Sequence, residues 1–287
     1  MLQFDGKFIG VCSKLKIWEG VLNHRERVSL ARKLSELLLK KYGDQIVLGG
    51  IYGSTAKGTD TEYSDLEMFF IVKNECKAMD FSFAYKGMPV SVCVRKLSDV
   101  EKDINEIDLD WPLKMGRLFN LKVTCGDASI SKRFKRLLQK IPEEKFREFL
   151  AKETPLCYEG LGRLKAVKIR GNTHEIGLFV AEVLMEFMLL TAIFNREFIN
   201  HDYLGGLPES FKFKHLPKDY EKIAKKLMEW KSLNTDEIIQ LAEKFVQNFV
   251  NFLAENGIKV KEHTPLEEVE MLCEKGHTKY EALSVSF

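Results

Sequence analysis

The stretch that decides the fold is Gly49-Gly50-Ile51-Tyr52-Gly53-Ser54-Thr55-Ala56-Lys57-Gly58-Thr59-Asp60-Thr61-Glu62-Tyr63-Ser64-Asp65-Leu66-Glu67-Met68-Phe69-Phe70-Ile71-Val72. It reads as a strand, a small-residue turn, a loop and a second strand that opens with two carboxylates. Residues 45–52 are apolar and partly β-branched. Residues 66–72 form an almost unbroken apolar run, as in a strand buried on both faces. Gly53-Ser54 lets backbone N–H groups come close to a phosphate. Asp65 and Glu67 stand two apart, so on a strand both carboxylates point to one face. Like charges there repel, and a divalent cation relieves them. Mg²⁺ prefers oxygen ligands and bridges to substrate phosphates. The plainer reading is a tight turn followed by a strand with edge charges. Turn, loop and paired carboxylates in this order favour the phosphate and metal reading.

Working outward, 287 residues are enough for two domains. Hydrophobic residues at 45% and charged residues at 30% predict a soluble chain with a sizeable core. A net charge of only +2 argues against an electrostatically driven nucleic-acid binder. The six cysteines are scattered without a Cys-x-x-Cys pair, which reads as free cytosolic thiols rather than disulfides or a zinc site. The first fifteen residues lack an apolar core long enough for a secretory signal, so a cytoplasmic location is expected. Residues 177–194 are apolar over a membrane-spanning length. Glu182 and Glu186 interrupt them, and a buried bundle helix is the expected outcome. The mixture of lysine and glutamate leans towards a thermophilic source. The six histidines show no metal spacing.

Asn23 is expected to cap a helix from His24 to about Lys41, ended by Tyr42-Gly43-Asp44. Residues 81–85 and 90–94 predict a hairpin around Lys86-Gly87-Met88-Pro89. Ser98 is expected to cap a helix over 99–107, which Asp110-Trp111-Pro112-Leu113 breaks. A strand is expected over 119–125 and a helix over 129–140. After Pro142 only helical patterns remain, over 143–153, 156–170, 176–196, 217–229 and 235–256, with a short helix at 266–274 in the tail.

The span from Gly53-Ser54 to Asp65-Leu66-Glu67 resembles the signature of the polymerase-beta-type nucleotidyltransferase superfamily. The chain as a whole resembles its kanamycin (aminoglycoside 4′-) nucleotidyltransferase group. Further blocks of the likeness are His24-Arg25-Glu26-Arg27, Tyr42-Gly43-Asp44, Asp110-Trp111-Pro112-Leu113 and Glu159-Gly160-Leu161-Gly162-Arg163. The likeness covers about residues 22–260. It implies an α+β fold: an N-terminal nucleotidyltransferase mixed β-sheet with flanking helices over 1–141, a helical bundle over 142–258, and a tail over 259–287.

The resemblance also implies the chemistry. Such enzymes move a nucleoside monophosphate from Mg-ATP, or another Mg-NTP, to a substrate hydroxyl and release pyrophosphate. Gly53 and Ser54 would hold the triphosphate. Lys57 would reach a phosphate where the family has arginine. Asp65 and Glu67 would hold Mg²⁺. Glu159 would be the general base, kept ionised by Arg163 one helical turn away, which would also bind phosphate. The plainer reading of Glu159 and Arg163 is a surface pair. Two glycines inside that turn are costly for a mere surface helix and favour the functional reading. Asp110 would bind substrate. The family's third metal carboxylate aligns with Ser91, a poor Mg²⁺ ligand. That leaves open a catalytically weakened nucleotide-binding or regulatory protein of the same fold. The acidic residues before the family's base are replaced by Pro155-Leu156, which disfavours an aminoglycoside and leaves a hydroxylated small molecule as acceptor. Glu182 and Glu186 either line that pocket or form a polar edge on a bundle helix. A homodimer is implied, because the family builds each site at a subunit interface. No membrane partner is expected. A nucleic-acid partner is disfavoured by the charge and by the lack of basic-aromatic interleaving.

Overall fold

The computed structural model describes residues 22–201 and 203–260. The readings made for residues 1–21 and for the tail beyond 260, including its short helix, lie outside the described residues. The chain forms two compact units. One holds the residues up to Ile141 together with Phe198–Gly206; the other holds Pro142–Glu197 and the chain from Leu207 onward.

In the first unit, α1 (His24–Tyr42) starts at a capping box. The Asn23 side chain accepts from the Glu26 N–H at 3.1 Å, and the Asn23 N–H donates to the Glu26 carboxylate at 2.9 Å. Five strands follow: β1 (Ile46–Ile51), β2 (Leu66–Val72), β3 (Met79–Tyr85), β4 (Met88–Lys96) and β5 (Lys122–Gly126). Their order is β3-β4-β2-β1-β5, with β2 parallel to β4 and every other pairing antiparallel. Lys86 and Gly87, with φ of 51° and 80°, close the β3–β4 hairpin in two residues. The helices are α2 (Gly53–Lys57), α3 (Leu97–Asn105), α4 (Trp111–Phe119) and α5 (Ile130–Gln139).

Period-two alternation gives the sheet two different faces. Leu66, Met68, Phe70 and Val72 of β2 join Val90, Val92 and Val94 of β4 in a core that Ala31, Leu34 and Leu38 of α1 cover. The other face carries Glu67, Phe69 and Ile71 beside Ser91, Cys93 and Arg95, pair by pair. Helix α3 packs on β2 and β4.

Four local readings change. Gly53-Ser54 opens a short helix rather than a simple turn. Ser98 is not a cap: α3 already begins at Leu97, and the Ser98 N–H donates to Asn74 Oδ1 at 2.8 Å. Asp110-Trp111-Pro112-Leu113 starts α4 instead of merely ending α3, because proline in a first helical turn forfeits no intrahelical bond. Phe119 therefore belongs to α4, and the next strand begins only at Lys122.

The second unit is helical throughout its described length: α6 (Glu143–Glu153), α7 (Tyr158–Arg170), α8 (Ile176–Asn195), α9 (Leu207–Ser210), α10 (Tyr220–Met228) and α11 (Thr235–Glu255). Residues 173–195 are long and apolar enough to cross a membrane. Here that stretch is the axis of the bundle. Phe187 of α8 is fully buried and meets Phe245 and Phe249 of α11 edge-on, at 6.1 and 5.2 Å.

The segment Phe198–Gly206 returns to the first unit. Phe198 stacks on Phe119 at 5.2 Å and meets Trp111 edge-on at 5.8 Å. The Ile199 N–H donates to the Pro112 carbonyl at 3.1 Å.

Candidate active site

The glycine turn and the second carboxylate touch. Gly53 has φ +67°, and a Cβ there would run into Glu67 Oε2. Glycine is therefore required twice, by the backbone and by the carboxylate. The Tyr52 N–H donates to the Glu67 carbonyl at 3.1 Å, which extends the β1–β2 ladder to the turn. The Tyr52 hydroxyl is hydrogen-bonded to Glu67. Burial pushes that phenol well above its usual range, Glu67's charge adds to this, and Arg117 opposes it. Asp65 stands just before β2. Asp65 and Glu67 are both partly exposed and flank the fully buried Leu66.

A narrow cleft opens beside this turn, lined by Gly53, Lys57, Glu67, Arg117, Asn120 and Asn200 among others. The Lys57 ammonium donates to the Asn200 backbone carbonyl, and Asn120 bonds the Asn200 side chain. The Arg117 guanidinium lies over the Tyr52 ring at 5.2 Å and the Phe69 ring at 6.0 Å. Asp110 is exposed at the start of α4, and that helix gives the cleft Leu113, Gly116 and Arg117 instead.

The loop that carries Asp65 is braced from α1. The Arg27 guanidinium donates to Asp60 at 3.0 Å and to the Glu62 carbonyl at 3.2 Å. His24 Nδ1 lies 2.7 Å from the other Asp60 oxygen. Burial raises the Asp60 pKa, but the bonds from His24 and Arg27 together outweigh it and hold the carboxyl below its usual range.

Ser91 is the register partner of Glu67, and its Oγ lies 3.3 Å from Ser82 Oγ. Among the described residues no group of three or more His, Cys, Asp or Glu side chains gathers as metal ligands. Glu67 beside the Ser91 hydroxyl and the glycine turn, with Asp65 two residues before it, fits a single hard cation completed by phosphate oxygens. These residues do not fit a self-contained protein cage.

In the helical unit, Arg163 Nη2 donates to Glu159 Oε1 at 2.6 Å, and its Nη1 bonds Glu182. Gly160 is a packing residue: a Cβ there would press on Val183 of α8 at 3.1 Å. Gly162 faces open space. The packing explanation therefore accounts for one of the two glycines. Glu186, on the α8 face towards Gly160, has a buried Oε2 with no hydrogen-bond partner among the described residues. Burial raises its pKa to about 7, helped by Glu182, Glu159 and Glu153 and opposed by Arg163.

Each unit thus gathers its own candidates: Gly53, Lys57 and Glu67 in one, Glu159 and Arg163 in the other. Sequence reasoning passed over Arg117, Asn120 and Asn200. The signal for Arg117 was its spacing of four from Leu113 and one from Gly116, which puts the three near one helical face once 111–119 is read as a helix.

Residues 129–259 match the KNTase C-terminal domain family. An aminoglycoside nucleotidyltransferase (4′) of Bacillus sp is 21% identical over 238 residues, covering 83% of this chain and 94% of that protein. Its counterpart from Staphylococcus aureus is 20% identical over the same length and coverage. Among solved structures, a nucleotidyltransferase-like protein from Exiguobacterium sibiricum is 13% identical, covers 78% of this chain and 77% of its own, and has a TM-score of 0.41. The chain is thus similar over most of its length to aminoglycoside 4′-nucleotidyltransferases, and from residue 129 to residue 259 it matches the KNTase C-terminal domain family.

Proposed function

We propose that the protein is a Mg²⁺-dependent nucleotidyltransferase that moves a nucleoside monophosphate, AMP from ATP, to a hydroxyl of a small molecule. The observation that carries this reading is the meeting of Gly53 with the Glu67 carboxylate at the end of β1. Donors for phosphate and ligands for a cation belong in one place when the substrate is a metal-bound triphosphate. The similarity to two nucleotidyltransferases over 83% of the chain supports the reaction class.

Gly53 and Ser54 offer a backbone N–H and a hydroxyl to the triphosphate. Lys57 adds a positive charge once its bond to the Asn200 carbonyl is exchanged for a phosphate oxygen. Asp65 and Glu67 would hold the cation, which neutralises charge on the phosphoryl group and on the leaving pyrophosphate. From the helical unit, Glu159, ion-paired with the Arg163 guanidinium, would take the proton of the acceptor hydroxyl. Asp110 is assigned to the acceptor. The relatives are named for aminoglycosides, while on the family resemblance Pro155-Leu156 stands where acidic residues would precede the base, so we place the acceptor among other hydroxylated small molecules. A homodimer is part of this proposal, on the family resemblance.

With ATP, Mg²⁺ and a panel of hydroxylated acceptors, wild type should release pyrophosphate, and Asp65→Asn and Glu67→Gln should abolish it. Silence of wild type across the panel, with nucleotide still bound, would remove the catalytic part. A second reading, a nucleotide-binding protein with weakened catalysis, is favoured by Ser91 standing beside Glu67 where a third carboxylate would complete a metal site.

A further inference from the structure

Arg117 stands apart from the other partly or fully buried arginines of its unit. Arg27 is spent on Asp60 and Arg95 on Asp80. Arg117 is half-buried, yet no carboxylate and no hydrogen-bond acceptor engages it among the described residues. Two aromatic rings hold it instead, Tyr52 at 5.2 Å and Phe69 at 6.0 Å. Both rings are fixed from below: Phe69 is a buried β2 residue and Tyr52 is bonded to Glu67. A guanidinium lying on rings keeps its in-plane N–H fork available, and that fork matches two oxygens of a phosphate. It lines the same cleft as Gly53, Lys57 and Glu67, on the sheet face where Ser91 supplies no charge. A half-buried cation without an anion is costly, and a ligand that brings the anion relieves that cost.

We propose that Arg117 is a phosphoryl-oxygen ligand: its guanidinium, held on the Tyr52 ring, binds the phosphate chain of the donor nucleotide in this cleft. The assignment rests on the nucleotidyltransferase reading, since it takes the anion to be the donor's phosphates. An anionic group on the acceptor is the other source of the same chemistry, and the test separates the two. Arginine is preferred here over lysine because the site combines ring stacking with a two-oxygen partner.

The test is calorimetric titration of the full chain with pyrophosphate, ATP and adenosine, each with Mg²⁺ and with EDTA. Wild type is compared with Arg117→Gln and Arg117→Lys, and an unchanged melting temperature checks folding. Arg117→Gln should weaken pyrophosphate and ATP on the order of ten- to a hundredfold and leave adenosine unchanged, because a charge-assisted bond is lost. Arg117→Lys should fall between. A folded Arg117→Gln that binds pyrophosphate and ATP like wild type overturns the assignment, including the case in which the anion belongs to the acceptor, and leaves the nucleotidyltransferase reading standing. Wild type that binds neither ATP nor pyrophosphate under either condition overturns that reading, and Arg117's role with it.

Discussion

Glu67 and Ser91 are directly paired across the parallel β2–β4 ladder, so a carboxylate and a hydroxyl share one sheet face at neighbouring-strand distance, about 4.8 Å. A longer acidic side chain at residue 91 would bring a third oxygen ligand towards the cation site. Ser91→Glu should therefore tighten Mn²⁺ or Mg²⁺ binding in the presence of a non-hydrolysable ATP analogue, and raise turnover if catalysis is limited by charge at the phosphoryl group. Unchanged metal affinity in a folded Ser91→Glu protein would show that residue 91 does not face the metal.

The Arg27–Asp60 pair has side chains only 2% and 1% exposed. Removing the arginine leaves a buried carboxylate with His24 as its one remaining side-chain partner among those described. Arg27→Met should cost about 3–5 kcal/mol in urea denaturation, and adding Asp60→Asn should recover part of it. A loss below about 1 kcal/mol would show that the loop relaxes and lets water reach Asp60.

Gly53→Ala places a Cβ where Glu67 Oε2 sits and forces a left-handed backbone on an L-residue. The backbone alone costs about 1–2 kcal/mol. The variant should melt lower and bind Mg-ATP more weakly, while Gly162→Ala, where nothing lies within 4 Å, should do neither. Equal behaviour of the two variants in melting and titration would dissolve the close approach of Gly53 and Glu67.

Glu186 has a folded-state pKa raised to about 7 from a reference of 4.5. Between those values the folded protein keeps the proton and the unfolded chain has lost it. Stability therefore falls as pH rises through this window, and the penalty is complete above about 7. Glu186→Gln removes the ionisation, so its melting temperature relative to wild type should be higher at pH 8 than at pH 5. A pH-independent difference would mean that Glu186 titrates near its ordinary value. The opposing charges are Arg163 in its favour and Glu153, Glu159 and Glu182 against.

Much of the fold was legible because it depends on local periodicity. The apolar run Leu66–Val72 is β2, and the five helical patterns after Pro142 correspond to α6, α7, α8, α10 and α11 within a few residues. Asn23 as the cap of α1 was readable, and the structure adds Glu26 to complete the capping box. Helix α4 was not, because Trp111-Pro112 reads equally as a break and as a helix start. With α4 unread, the helical face that presents Arg117 could not be drawn.

The sequence by itself determined that Asp65 and Glu67 bracket a buried Leu66 at the head of β2, since side-chain direction along a strand has a period of two and needs no partner. Tertiary structure alone decided which residues surround that pair. The register that sets Ser91 beside Glu67, the rings that hold Arg117, and the Asn200 carbonyl that meets Lys57 across 143 residues of chain are products of packing. Packing minimises free energy over the whole chain at once, so no window of sequence contains those contacts.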